Sequence, residues 1–319
     1  MSPDERIQLI RDLDRCDAAL NDKTALANIF NSYWRSQFRR NVVKANAIRN
    51  VAYPISYAVP ILCSILPDRY QYRLEEGLGI LLPKLSPGDR NNLVERMRCN
   101  GSPSAEEELL LARGFALEFG PDSIKGHYGN ANSKRAEFSV RLNGMDVDIE
   151  AKGLIDSQRV QQLNKGARLS AQDFWFSNDP AINSVGRLRT KLGRTLSDAT
   201  PNRPLILTLT QYSTWPPADE SVRMARQISM DPTSIGVDED KFPLAVALIC
   251  RLYIQGVWFN NRALISHDVD QYLRERLRNA VRNSFYPRPD DIFFDELIDE
   301  ETHNSLLDKM RGRNHDVGA

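Results

Sequence analysis

The sequence predicts a mixed α/β protein with a helical N-terminal region and a mixed C-terminal extension. Apolar residues recur at helical spacing along much of residues 4–100, a pattern typical of amphipathic helices. Residues 137–152 instead alternate strictly between polar and apolar, which is the period of a half-buried strand. A third segment, residues 205–212, is apolar and bounded by prolines, as expected of a buried strand.

The composition limits the domain organisation and the class of protein. A chain of 319 residues can form one large domain or two ordinary ones. The turn at residues 99–103 predicts a boundary between a helical region, residues 1–100, and a second domain, residues 101–319. The 42 lysines and arginines balance the 42 aspartates and glutamates, so a nucleic-acid surface would have to be local.

Neither a membrane segment nor a disulfide framework is expected. The sequence has no run of 18 apolar residues, and its first ten residues lack an apolar signal core. We therefore expect a cytoplasmic protein with no membrane partner. The cysteines lack metal-site spacing and are typical of buried thiols in a reducing compartment; they are Cys16, Cys63, Cys99 and Cys250.

The helical region contains a basic stretch. The pattern predicts helices over residues 7–20, 24–43, 74–82 and 89–98. No acidic residue occurs between Asp22 and Asp68, and cations there are interleaved with aromatics. This combination suits phosphates and stacked bases, although the cations could also form an ordinary exposed face over an aromatic core. The candidate nucleic-acid-binding residues here are Arg35, Arg39, Arg40 and Lys44.

The next element is a predicted helix over residues 104–113, with Gly114 as its C-terminal cap. Residues 115–119 would then form the first strand. Residues 104–107 also read as a capping box, which accounts for a glutamate at position 107 without any catalysis. The helix carries three successive carboxylates, Glu106, Glu107 and Glu108.

Residues 137–152 predict a β-hairpin that presents carboxylates on one face. Asn143-Gly144 is typical of a two-residue type I′ turn, because both residues tolerate positive φ. Leu142 would then face Met145, Ser139 would face Asp148, and Glu137 would face Glu150. Every position on the opposite face is apolar, so that face is expected to pack on a core.

The register places two like charges opposite each other at the open end of the hairpin. Directly opposed carboxylates, such as Glu137 and Glu150, destabilise a strand pair. A divalent cation between them would remove the conflict, since Mg²⁺ takes hard oxygen ligands. Lys152 lies on the same face, two residues beyond Glu150. The alternative is a solvated face on which Arg141 pairs with Asp146 across the turn.

Glu137 followed by Glu150-Ala151-Lys152 resembles the motif of the PD-(D/E)XK, or restriction-endonuclease-like, nuclease superfamily. Glu137 stands where an aspartate is commoner, and no proline precedes it. The resemblance covers about residues 102–215 and implies an αβββαβ core. It also implies that Mg²⁺ or Mn²⁺ is bound by Glu137, Glu150 and the Ala151 carbonyl, with Lys152 acting on the attacking water.

The resemblance extends to other candidate residues and to partners. Asp148 projects from the same face and is a candidate additional ligand. A helix carboxylate often reaches the metal in that superfamily; Glu107 is favoured here, then Glu106. Activity on nucleic acid, DNA rather than RNA, is implied, as is a homodimer if both strands are cut. A bacterial restriction or defence role is suggested by the resemblance alone.

The remaining elements complete the expected core. A helix over residues 184–199 carries a cationic stripe, Arg187, Lys191 and Arg194, that could contact phosphates or be an ordinary basic face. Strands are predicted at residues 205–212, 244–254 and 257–264, with a turn at Gln255-Gly256, and a helix at residues 267–283. Two alternatives to a nuclease stay open, namely an inactive nucleic-acid-binding protein on the same fold and a protein-interaction module.

Overall fold

A computed structural model describes residues 23–37, 68–98, 102–126, 136–154, 193–197, 203–211, 218–250 and 253–285, together with a few isolated positions before residue 41. The chain divides into two compact units, Met1–Ala131 and Asn132–Ala319. The division lies about thirty residues beyond the boundary that the sequence predicts.

The first unit is mainly helical. Its helices are α1 (Thr24–Ile29), α2 (Asp68–Leu81), α3 (Pro87–Arg98) and α4 (Ser102–Phe119). Helix α4 packs against α2 and α3, and α2 also packs against α1. The core between them is leucine-rich, as the helical periodicity predicts, and includes Leu26, Leu74, Leu78, Leu93 and Leu109.

The predicted continuous helix over residues 24–43 is interrupted, because α1 ends at Ile29 and residues 32–37 form a separate helical segment. Side chains from other helices satisfy both ends of this short helix. Glu75 accepts hydrogen bonds from the backbone amides of Ala25 and Leu26, at 2.6 and 2.8 Å. The Arg98 guanidinium donates to the Ile29 carbonyl at 2.8 Å. Glu75 thus satisfies first-turn amides that have no acceptor within the helix, and Arg98 satisfies a carbonyl that a continuing helix would have bonded.

The predicted strand at residues 115–119 is also wrong, because α4 continues through Gly114 to Phe119. Phe115 is fully buried, and its ring stacks on that of Phe119 one helical turn later. The glycine that ends the helix is Gly120, which has φ +89° and donates its amide to the Ala116 carbonyl. The predicted cap at Gly114 is therefore wrong, because Gly114 lies inside the helix.

A six-stranded mixed sheet follows, and its strands are ordered as they occur in the chain. They are β1 (Ile124–Lys125), β2 (Phe138–Leu142), β3 (Met145–Leu154), β4 (Leu205–Gln211), β5 (Ala245–Cys250) and β6 (Tyr253–Phe259). Strand β3 is antiparallel to β2 and parallel to β4; β5 is parallel to β4 and antiparallel to β6. The predicted strand at residues 205–212 is thus confirmed to within one residue.

The last two predicted strands had the wrong boundaries. Gln255 and Gly256 lie within β6 and do not form the turn. Gly256 is needed for packing, because a Cβ there would come within 2.6 Å of the Trp258 ring. Leu264 lies in a helix, whose first turn is capped by the Asn260 side chain accepting from the Ala263 amide at 3.0 Å.

The described residues of the second unit also include helices α5 (Ala218–Met230), α6 (Asn261–Ser266) and α7 (Gln271–Ser284). Helix α5 packs against β5 and β6, and α7 packs against β6. Residues 193–197, within the predicted helix at 184–199, are helical, and the rest of that segment lies outside the described residues. No helix in the described part of the chain is both long and apolar enough to cross a membrane.

The predicted hairpin register is confirmed. Leu142 pairs with Met145, and Ser139 pairs with Asp148. Asn143 and Gly144 both have positive φ, +47° and +85°. Phe138, Val140, Leu142, Val147 and Ile149 are buried on the apolar face. The two-residue turn therefore determines which side chains of β2 and β3 face the core.

Replacing Gly144 by alanine should destabilise the protein by about 1 kcal/mol, because an L-residue is strained at this positive φ. No atom lies within 4 Å of the position that the new Cβ would take, so the cost isolates the backbone conformation. The midpoint of urea unfolding measures it. Asn143→Gly is the matched control, since glycine adopts the same conformation freely. Equal midpoints for Gly144→Ala and the unsubstituted protein would contradict this account of the turn.

Candidate functional site

The polar face of the hairpin brings two carboxylates and one ammonium group together. Lys152 Nζ forms an ion pair with Glu150 Oε1 and lies 3.7 Å from Glu137 Oε1. Glu137 directly precedes β2, and its backbone amide donates to the Ile149 carbonyl at 2.9 Å. The predicted convergence of Glu137, Glu150 and Lys152 is therefore present in the structure.

Strand β4 forms an apolar wall beside this group. Glu150 pairs with Leu207, and Lys152 pairs with Leu209. Residues paired across parallel strands project to the same side, so both leucines flank the charged side chains. The two leucines are 0% and 1% exposed, whereas the side chain of Glu150 is 10% exposed and that of Lys152 25% exposed. The carboxylates therefore lie at the border of the core, where charge interactions are weakly screened.

Burial changes the acidity of two of these carboxyl groups. It raises the pKa of Glu150 from 4.5 to about 7, and the Glu137 carboxylate adds to the rise, whereas Lys152 opposes it. Burial also raises the pKa of Asp148 from 3.8 to about 6, although the adjacent Arg203 guanidinium opposes that change. Loss of hydration thus outweighs the nearby positive charge at both positions.

Asp148 has a partner that the sequence did not suggest. Arg203 Nη2 lies 2.7 Å from Asp148 Oδ1, and the Asp148 amide donates to the Pro204 carbonyl at 2.8 Å. Arg203 lies two residues before β4 and more than fifty residues after Asp148. The parallel pairing of β3 with β4 creates this contact, and no short-range pattern in the sequence indicates which residue of β4 would face Asp148.

The donor set near the end of the hairpin suits a hard divalent cation. Glu137 and Glu150 offer carboxylate oxygens, and a cationic group already lies against both. Within the described residues, no three His, Cys, Asp or Glu side chains form a metal-binding group. Asp148, the candidate additional ligand, is engaged by Arg203. The side chains that could hold a metal here are therefore Glu137 and Glu150, with the Ala151 carbonyl as a backbone candidate.

The helix carboxylates lie on α4, in the first unit. Glu106, Glu107 and Glu108 are each at most 3% exposed. Glu108 forms a two-pronged ion pair with Arg96, whose Nη2 donates to Oε2 at 2.8 Å. This contact connects α3 to α4 and gives Glu108 a structural role.

The predicted phosphate-contacting cations are described only in part. Arg194 is exposed within the helical residues 193–197, next to the buried Leu196. Arg35 is partly exposed and Arg40 is exposed, both in the first unit. The other four predicted cations lie outside the described residues; they are Arg39, Lys44, Arg187 and Lys191.

Comparison of the chain with protein-family models, with curated proteins and with solved structures finds no match. The chemistry of the chain's own residues is therefore the basis for inferring its function.

Raised carboxyl pKa values predict a definite pH dependence of stability. Between pH 4.5 and 7, folded Glu150 stays protonated while the unfolded chain releases the proton, so the folded state binds more protons. Stability contributed by this group is therefore highest below pH 4.5 and falls as the pH rises towards 7. Glu150→Gln should remove this loss and become more stable than the unsubstituted protein at pH 8.

Urea unfolding at pH 5, 6, 7 and 8 without divalent metal measures the difference in the free energy of unfolding between Glu150→Gln and the unsubstituted protein. It should grow in favour of Glu150→Gln by on the order of 2 kcal/mol across that range. Glu239→Gln, at an exposed ion pair with Arg262, is the control and should change the midpoint little. If Glu150→Gln instead became less stable than the unsubstituted protein as the pH rises, Lys152 would stabilise the ionised Glu150 carboxylate more than burial destabilises it.

Proposed function

We propose that the protein is a metal-dependent nuclease that hydrolyses phosphodiester bonds of nucleic acid, DNA rather than RNA. The observation that carries the proposal is the contact of one ammonium group, Lys152, with two carboxylates, Glu137 and Glu150, on one face of a hairpin. This residue set resembles the PD-(D/E)XK motif, with Glu137 in place of the commoner aspartate and Glu150-Ala151-Lys152 as the E-x-K part.

The order of elements supports the same proposal. Helix α4, strand β1, the β2–β3 hairpin, helical residues 193–197 and strand β4 follow in that order. This order agrees with the αβββαβ core of the restriction-endonuclease-like superfamily. The first strand of that series is the short Ile124–Lys125, since the segment expected to provide it is helical.

In this proposal, Glu137, Glu150 and the Ala151 carbonyl would hold Mg²⁺ or Mn²⁺. Such a metal supplies Lewis acidity towards a phosphate oxygen and makes a bound water more acidic. Without a metal, the Lys152 ammonium provides the positive charge between the carboxylates. A divalent cation in its place would free Lys152 to hydrogen-bond the attacking water and a phosphate oxygen as negative charge accumulates there.

The apolar wall has a defined part in this chemistry. Leu207 and Leu209 exclude water from one side of the charged group. Interactions of Lys152 with the reacting phosphate would therefore be stronger than at an open surface. The same burial raises the pKa of Glu150, so metal binding is expected to weaken below about pH 7, where this carboxyl is protonated.

Cleavage assays test the proposal with single- and double-stranded DNA and RNA, each in Mg²⁺, in Mn²⁺ and in EDTA. We expect cleavage in a divalent metal and none in EDTA, because the two carboxylates act through the cation. Lys152→Ala and Glu150→Gln should each lower the rate at least about 100-fold. Glu239→Gln, remote along the chain and exposed, is the matched control and should keep the full rate.

The outcomes separate the proposal from its alternatives. Failure to cleave any substrate in either metal would refute a nuclease. Salt-dependent binding without cleavage would instead favour an inactive nucleic-acid-binding protein. Absence of both would favour a protein-interaction module.

A further inference from the structure

Arg203 extends the charged face of the hairpin beyond the candidate metal ligands. Its guanidinium contacts Asp148, which lies on the same face of β3 as Glu150 and two residues before it. Two residues of a strand correspond to about 6.6 Å. A positive group is therefore held about one nucleotide step along the strand from the carboxylates, at the border of the same leucine-lined sheet.

The guanidinium of Arg203 has donors to spare. An arginine carries five N–H donors, and Asp148 is the one partner of Arg203 within the described part of the chain. The Nε–H is buried and donates to none of the described residues. The side chain is 37% exposed, so the guanidinium is not fully enclosed. A buried N–H group without a hydrogen bond is unfavourable in free energy, and an incoming anion that accepted from it would remove that cost.

Arg141 provides an internal comparison on the same face. It is also paired with a carboxylate, Asp146, and its side chain is 45% exposed. Its donors, however, are used more fully: Nε and Nη2 contact the two Asp146 oxygens, and Nη1 donates to the Gly144 carbonyl at 3.0 Å. Two arginines that contact carboxylates of the same hairpin face therefore differ in how many N–H donors they leave for an anion.

We propose that Arg203 binds a backbone phosphate of the nucleic-acid substrate, adjacent to the phosphate held at Glu137 and Glu150. The inference rests on the proposed function, since it takes the reacting phosphate to lie at those two carboxylates. A phosphate presents several oxygens to a fork of N–H donors, which is the geometry that arginine matches best. Asp148 occupies the Nη2 end of this fork, which leaves the other N–H donors of Arg203 for a phosphate.

A purely structural ion pair between β3 and β4 is the competing explanation, and the two partners distinguish it. If Arg203 only stabilises the sheet, Arg203→Ala and Asp148→Asn should change nucleic-acid binding to a similar extent. If Arg203 binds phosphate, Arg203→Ala should lose binding, whereas Asp148→Asn should keep or strengthen it. Asp148→Asn leaves the guanidinium in place and removes a competing negative charge.

The experiment measures binding of fluorescently labelled DNA and RNA by anisotropy, in Ca²⁺ without Mg²⁺, between 50 and 200 mM salt. For a double-stranded substrate, Arg203→Ala should reduce the slope of log affinity against log salt by about 0.9, the value for one lost phosphate contact. Arg203→Lys should restore most of that slope. Arg141→Ala is the control and should leave the salt slope nearly equal to that of the unsubstituted protein.

Each outcome decides the inference. An unchanged slope for Arg203→Ala would overturn it, and so would an equal loss of binding in Asp148→Asn. If Arg203→Ala does not fold, Arg203→Gln, which keeps N–H donors but not the charge, replaces it: a reduced slope supports the inference, and a slope equal to that of the unsubstituted protein overturns it. Loss of slope in a protein that never cleaves would uphold the phosphate contact and refute the nuclease. Failure of the unsubstituted protein to bind any nucleic acid would refute both.

Discussion

The two-residue turn at Asn143-Gly144 is the constraint on which the candidate site depends. Because side chains alternate along a strand, a slip of one residue would move Glu150 into the core and expose Ile149. The turn fixes the register that leaves Glu137, Glu150 and Lys152 on the polar face while Val147 and Ile149 are buried. Local backbone conformation therefore determines which chemistry the sheet can present.

A balance between burial and charge governs the site itself. Four carboxylates and three cationic groups lie along the polar face of the hairpin and the adjoining start of β4: Asp146, Asp148, Glu150 and Glu137, with Arg141, Arg203 and Lys152. When Glu150 is ionised, Glu137 and Glu150 together exceed Lys152 by one negative charge at the leucine-flanked end, which favours an additional cation there. Loss of hydration raises the pKa values of Glu150 and Asp148 in spite of their partners. A site arranged in this way is less stable without a metal than an apolar equivalent would be, which is typical of functional positions.

The sequence predicted the features that short-range patterns control. The hairpin, its register and the strand at β4 follow from a turn dipeptide, alternation and flanking prolines, and all three are observed. Two wrong predictions came from glycines with more than one possible role. Gly114 is tolerated inside α4 while Gly120 ends it, and Gly256 packs under Trp258 within β6. The Arg203–Asp148 pair could not be predicted, because it depends on the alignment of β3 with a strand fifty residues later. The capping of α1 by Glu75 and Arg98 is non-local for the same reason.

Diffraction from crystals grown with Mn²⁺ would test the central claim most directly, because the anomalous signal of the metal locates it without reference to activity. The account predicts a peak between the carboxylates of Glu137 and Glu150, at oxygen–metal distances of about 2.1 Å, with Lys152 Nζ displaced from Glu150. Crystals in saturating Mn²⁺ with no peak at these carboxylates, and with Lys152 still against them, would contradict it.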